Sequence, residues 1–150
     1  MAMLAVVILA AAPASGPVAF VTVAHGAMSG LDQPSRRVVR TTAQWAALWK
    51  QHAGTAQPAA PRPAIDFKRE AVIVVALGRR PSAGWSVEIT RVEHLGAETV
   101  VHVRETRPPP DALTAQVLTQ PYHFVRVPRP RGPVRFVDDR AEGVGTAPVR

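Results

Sequence analysis

Seven consecutive apolar residues, Ala71 to Leu77 (AVIVVAL), constrain this chain more than any other feature. The run is shorter than a typical helix and rich in β-branched residues, so it reads as a strand. A strand with no polar position on either side must be covered on both faces, which puts it at the centre of the core. Gly78 to Gly84 (GRRPSAG) is a turn-rich loop leading to Trp85–Val92, where Trp85, Val87 and Ile89 alternate with Ser86, Glu88 and Thr90. That alternation marks a half-buried antiparallel strand. Thr99 to Glu105 repeats it, with Val101 and Val103 on one face, and Glu93 to Glu98 joins the two as a hairpin. Further strands are predicted at Val18–Val23, Arg36–Arg40, Pro121–Val127 and Val134–Val137, whereas Pro108, Pro109 and Pro110 must leave the sheet.

Thr41-Thr42-Ala43-Gln44 is a capping box, which starts a helix over Ala43–His52. Trp45, Leu48, Trp49 and His52 recur at i, i+3, i+4 and i+7 and form the face that packs on the sheet. Ala53 to Ala64, with three prolines and a glycine, cannot continue it. One helix among about seven strands makes the fold class α+β: a mainly antiparallel β-sheet with one N-terminal amphipathic helix packed on it. A length of 150 residues accommodates one domain, expected over 15–138, and 47% apolar residues suffice for its core. Met3 to Ala12 is an apolar run of signal-peptide length followed by the A-x-A pattern Ala12-Pro13-Ala14. Residues 1–14 are therefore expected to be a signal peptide and the protein to be exported, periplasmic or secreted. The run is too short for a stable span of a ~30 Å hydrocarbon core. With no cysteine, the chain has no disulfide, thiolate metal site, cysteine nucleophile or lipid-modified N-terminal cysteine. Residues 139–150 are expected to form a loose tail.

The net charge is +7, and all but Lys50 and Lys68 of its 18 Lys and Arg are arginines. Arg126, Arg129, Arg131 and Arg135 fall in an acid-free stretch, VRVPRPRGPVR. Nucleic-acid binding would require a groove-reading motif or interleaved stacking aromatics, and only Phe136 is near. The stretch reads as a solvated basic turn, with contact to an acidic envelope surface as its functional version. Gly84-Trp85-Ser86-Val87-Glu88 lacks the last glycine of a nucleophile elbow, and Ser86 falls within a strand. His25, His52, His94, His102 and His123 include no HExxH and no i, i+4 pair, so no zinc-binding helix is indicated. Glu88, Glu93, Glu98 and Glu105 read as solvated partners of bases such as Arg91 and Arg104. No catalytic, cofactor-binding or metal-binding residue is assigned.

The sharpest candidate is a partner-binding loop. Arg79 and Arg80 can clamp anions, Gly84 permits unusual backbone angles, and Trp85 offers a rigid face, with Pro81 and Ser82 between them. Pro121 and Tyr122 are the second candidate, because rings adjacent on a strand point to opposite faces and one of Tyr122 or Phe124 is expected at the surface.

Three segments in order, TTAQWAALWK, DFKREAVIVVALGRRPSAGWSVEITRVE and LTQPYHFVRVPR, resemble the C-terminal domain of the protease complex subunit PrcB family. The likeness runs from about His25 to Phe136 and consists of a tryptophan-bearing helix, an Asp-Phe lead-in to a long apolar strand, a glycine-containing loop before an aromatic-Ser-Val strand, and a late Pro-Tyr strand. Ser82-Ala83-Gly84-Trp85 stands where that family is expected to carry Thr-Gly-Gly-Tyr, so Ala83 replaces a glycine. The resemblance implies a small exported, noncatalytic module, without cofactor, that accompanies or stabilises a secreted or surface protease. The loop is also similar to one loop of the chagasin-type cysteine protease inhibitors, which makes protease inhibition the alternative. A small hydrolase or metal-dependent enzyme is the remaining function class.

Overall fold

The computed structural model describes residues 15–54 and 58–139; the expected leader 1–14 and residues 140–150 of the expected tail lie outside the described residues. Its organising strand is β4 (Glu70–Leu77), in which every residue from Ala71 to Leu77 is buried. Before it come β1 (Gly16–Pro17), β2 (Val21–Gly26), β3 (Pro34–Val39) and α1 (Thr42–Ala53). After it come β5 (Ser86–Leu95), β6 (Glu98–Thr106), β7 (Tyr122–Pro128) and β8 (Val134–Asp138). Eight strands and one helix among the described residues make the protein α+β. The helix follows the third strand.

The strands divide between two sheets rather than forming one. One has the order β2-β7-β4-β3 and is antiparallel throughout. The other has the order β1-β5-β6-β8, antiparallel except for the parallel pair β6·β8. Ile73, Val75, Leu77, Val125 and Val127 of the first sheet meet Val87, Ile89, Val92, Val101 and Val103 of the second. Val72, Val74, Ala76 and Phe124 point the other way, onto Trp45 and Leu48 of α1. The two covers that the apolar run demands are thus a second sheet and a helix.

Thr41 caps α1, its Oγ1 accepting from Gln44 N–H (3.2 Å), while Gln44 Oε1 accepts from Arg40 N–H (2.9 Å). The proline-rich connector runs over the helix, with Pro63 and Ala60 carbonyls accepting from the indoles of Trp45 (2.9 Å) and Trp49 (3.0 Å). The first long strand starts later than its β-branched run predicts, at Val21 instead of Val18. The reason is that Val18 N–H donates to Val92 O of the second sheet (2.8 Å), and Val18 and Phe20 fill the gap between sheets as the chain crosses. Asp138, the last residue of the expected domain, pairs with Arg36, and Asp139, where the expected tail begins, accepts from Thr90 Oγ1 (2.6 Å). That hydrogen bond holds the Asp139 carboxyl below its ordinary pKa, and the nearby His102, Arg104 and Arg91 act in the same direction.

Two histidines join the sheets. His25 Nε2–H donates to Val87 O (3.1 Å), and Ile89 N–H donates to His123 Nδ1 (2.9 Å). With Nδ1 accepting, His123 carries its proton on Nε2 and donates to Thr22 Oγ1 (2.9 Å). Two β5 backbone groups, Val87 O and Ile89 N–H, are thereby satisfied from the opposite sheet.

Candidate functional site

Gly78 ends β4 with φ +71°, where a Cβ would lie 2.7 Å from Pro34 N, so the loop leaves the sheet at a position only glycine fits. Asp32 then holds both sides of the loop. Its backbone carbonyl accepts from Arg79 N–H (3.0 Å), one carboxylate oxygen accepts from the Arg79 guanidinium (3.0 Å), and the other accepts from Gln120 Nε2 (3.2 Å). Arg80 and Thr119 exchange both backbone hydrogen bonds (2.7 and 2.9 Å), Thr119 Oγ1 donates to Ser82 O (2.9 Å), and Ala83 N–H donates to Ala115 O (3.0 Å). The loop 79–85 and the crossing 107–120 are therefore one unit. Gly84, with φ +91°, sits where a Cβ would be 2.8 Å from Pro108 Cβ. Gly84→Ala is expected to cost about 1–3 kcal/mol of stability, because an L side chain is strained at this φ, and urea unfolding measures it.

Trp85 is half-buried against the rim of the core between the sheets. The guanidinium carbons of Arg80 and Arg107 lie 5.0 and 5.6 Å from its ring centre, within cation–π range. Both arginines also flank Glu105, at 3.8 and 3.6 Å. The charges of Arg79 and Arg80 are thus engaged within the molecule, and the loop presents no bare anion clamp. Ser82 is buried with its hydroxyl donating to Ala83 O, so it offers solvent little, whereas Pro81 is exposed.

What the unit does present is apolar. Leu113 is fully exposed, and Val117 and Leu118 keep about half their surface in water (46% and 53%). Among the described residues these three stand out because they share one segment without helix or strand. Sequence reasoning passed over them. The only signal was an apolar scatter after three prolines with no alternation to place it in a sheet.

Pro121 borders this unit, its carbonyl accepting from Leu77 N–H (2.9 Å). Tyr122 does not join it. Tyr122 and Phe124 lie two apart on one strand and share a face, so both turn toward the helix, Tyr122 half-buried and Phe124 fully buried. Of the two rings Tyr122 alone is partly at the surface, and the buried neighbour on the other face is His123. The His52 ring lies 4.4 Å from Tyr122 and 5.0 Å from Phe124, and its Nδ1 meets Ser29 Oγ at 2.9 Å. Burial lowers the pKa of His52 and raises that of Tyr122.

Among the described residues no three His, Asp or Glu side chains are grouped to hold a metal ion. The closest histidine pair, His25 and His123, has ring centres 4.6 Å apart and is engaged with the β5 backbone.

The family model described as PrcB C-terminal matches residues 71–128, from the start of the buried strand to the end of β7. It takes in both the 79–85 loop and the 107–120 crossing, and leaves the tryptophan-bearing helix outside. No curated protein and no solved structure matches the chain.

Proposed function

We propose, for a chain that belongs through residues 71–128 to the PrcB C-terminal family, the role of a noncatalytic exported module that binds and stabilises a secreted or surface protease. The observation that carries this reading is the apolar trio Leu113, Val117 and Leu118 on a backbone fastened to the 79–85 loop. Exposed aliphatic side chains on a pinned segment can dock without the full ordering cost of a free loop. Trp85, with arginines against its ring, is the aromatic anchor at the edge of that surface. The leader pattern in residues 3–14 supports export.

The test uses the chain from Ser15 onward as bait against envelope and culture fractions of the cells that make it. Wild type is expected to retain a protein with protease activity, and Leu113→Asp combined with Leu118→Asp is expected to weaken retention at least tenfold, about 1.4 kcal/mol. Leu113 is fully exposed and Leu118 keeps about half its surface in water, so the variant is expected to stay folded with only a small loss in melting temperature. Equal retention by the double variant would remove this surface from the account. A retained protease that loses activity on binding would convert the module into an inhibitor. Intact mass of the exported protein, expected to begin near Ser15, tests the leader.

A further inference from the structure

At the opposite ends of β4 and β7 from the apolar unit, four connections meet around an open cleft of about 1180 Å³. They are the end of β3, the lead-in to β4, the β5–β6 hairpin turn and the β7–β8 turn. Arg40, Lys68, Arg69, Arg129 and Arg131 line it together with His94, and no carboxylate does. Elsewhere in the molecule arginines face acids: Arg36 with Asp138, Arg79 with Asp32, Arg126 with Glu70. Among the described residues, Arg40, Lys68, Arg129 and Arg131 form no ion pair, and Arg69 reaches only Asp66, at 3.8 Å.

Two of these cations are nonetheless held in place, by neutral groups. The Arg129 guanidinium donates to the carbonyls of Phe67 (2.6 Å) and Arg40 (3.2 Å), and the Arg40 guanidinium donates to Pro130 O (3.1 Å). Carbonyls fix a guanidinium without cancelling its charge, so its full field acts on the cleft. The walls are fixed as well. Arg129 N–H donates to Arg69 O (2.8 Å), Thr99 N–H donates to Pro133 O (2.9 Å), and Gly132 packs so close to Ala97 that a Cβ would overlap its carbonyl oxygen. Like charges gathered this way repel one another, and a polyanion placed among them would relieve that repulsion.

We propose that this cleft is a binding site for a linear polyphosphate, a chain of directly linked phosphate groups. Guanidinium forks match phosphate oxygens in a bidentate manner, and several fixed cations reward a ligand that repeats its charge. The lining includes no Trp, Tyr or Phe on which a nucleic-acid base could stack. Pro128 and Pro130 deprive one wall of N–H donors, so an acidic peptide would find no strand to pair with. This site is independent of the protease-binding surface.

Calorimetric titration of the folded protein with sodium tripolyphosphate tests the proposal, with orthophosphate, hexaglutamate, oligodeoxythymidylate and phosphatidylglycerol vesicles as parallel arms. Tripolyphosphate is expected to bind at least tenfold more tightly than orthophosphate or hexaglutamate, with affinity falling steeply as salt rises. Lys68→Gln with Arg131→Gln, both exposed and unpaired, should weaken it at least tenfold. Arg37→Gln with Arg62→Gln removes the same net charge elsewhere and should change it less than twofold. Equal loss in both double variants would reduce the effect to overall charge and overturn the site. So would hexaglutamate or oligodeoxythymidylate matching tripolyphosphate, and binding to vesicles alone would mean a lipid surface instead.

Discussion

Trp45→Ala will lower the unfolding free energy by about 3–5 kcal/mol, the range for deleting a large buried ring. Trp45 is only 1% exposed and stands where three parts of the fold meet. Its ring packs edge-on to Phe124 with centres 6.2 Å apart and lies 5.3 Å from Trp49. Its indole N–H donates to Pro63 O, so the substitution also unfastens the connector from the helix. Alanine would leave a void between α1 and the face of β4 carrying Val72 and Val74, and close-packed neighbours can only partly collapse into it. Trp49→Ala, at a half-buried position, should cost clearly less. Urea denaturation at neutral pH measures both. A loss below about 1 kcal/mol for Trp45→Ala, smaller than the effect of burying a single aliphatic side chain, would mean that the helix is not the second cover of the central strand.

Acidification will weaken the fold through His123. Burial, reinforced by the neighbouring His25, lowers its pKa from 6.5 to about 4. The unfolded chain therefore binds a proton between these values that the folded chain refuses. Stability is fully present above about pH 6.5, falls as pH drops toward 4, and this contribution levels off below that. A depression of this size corresponds to about 3 kcal/mol at its limit. The structural reason is plain: a second proton on the ring would occupy Nδ1, the atom that accepts from Ile89 N–H. His52, also lowered by burial, acts in the same direction. Urea midpoints measured from pH 4 to 7.5 should decline with acid in the wild type, with the slope at least halved in His123→Gln. An unchanged slope in that variant would place the pH sensitivity elsewhere.

The central strand, the capped helix and the β5–β6 hairpin were legible because each rests on a local pattern: an unbroken apolar run, a Thr-x-x-Gln box, and strict alternation from Trp85 onward. The partition into two sheets was not. It depends on β7 pairing with both β2 and β4, and on β8 lying parallel beside β6, pairings between residues far apart in the chain. The displaced start of β2 has the same origin, because Val18 and Phe20 are β-formers used as filling between sheets. At the candidate site, Gly84, the adjacent Arg79 and Arg80, and Trp85 single out the 79–85 loop in the sequence as a candidate partner-binding surface. Their roles depended on partners the local sequence does not name: Asp32 for Arg79, Glu105 for Arg80 and Arg107, Pro108 for Gly84. Leu113, Val117 and Leu118 were invisible for the complementary reason. Their exposure follows from backbone bonds made by Ala115 and Thr119, not from any period of their own.

The most direct test of the account compares the bait beginning at Ser15 with its Leu113→Asp, Leu118→Asp double variant in capture from exported fractions, with protease activity and mass spectrometry as readouts. The account predicts one retained protease whose activity survives longer in the presence of the wild-type chain and which the variant fails to hold. A protease held equally by both chains, or no exported protein held by the wild type, would contradict it.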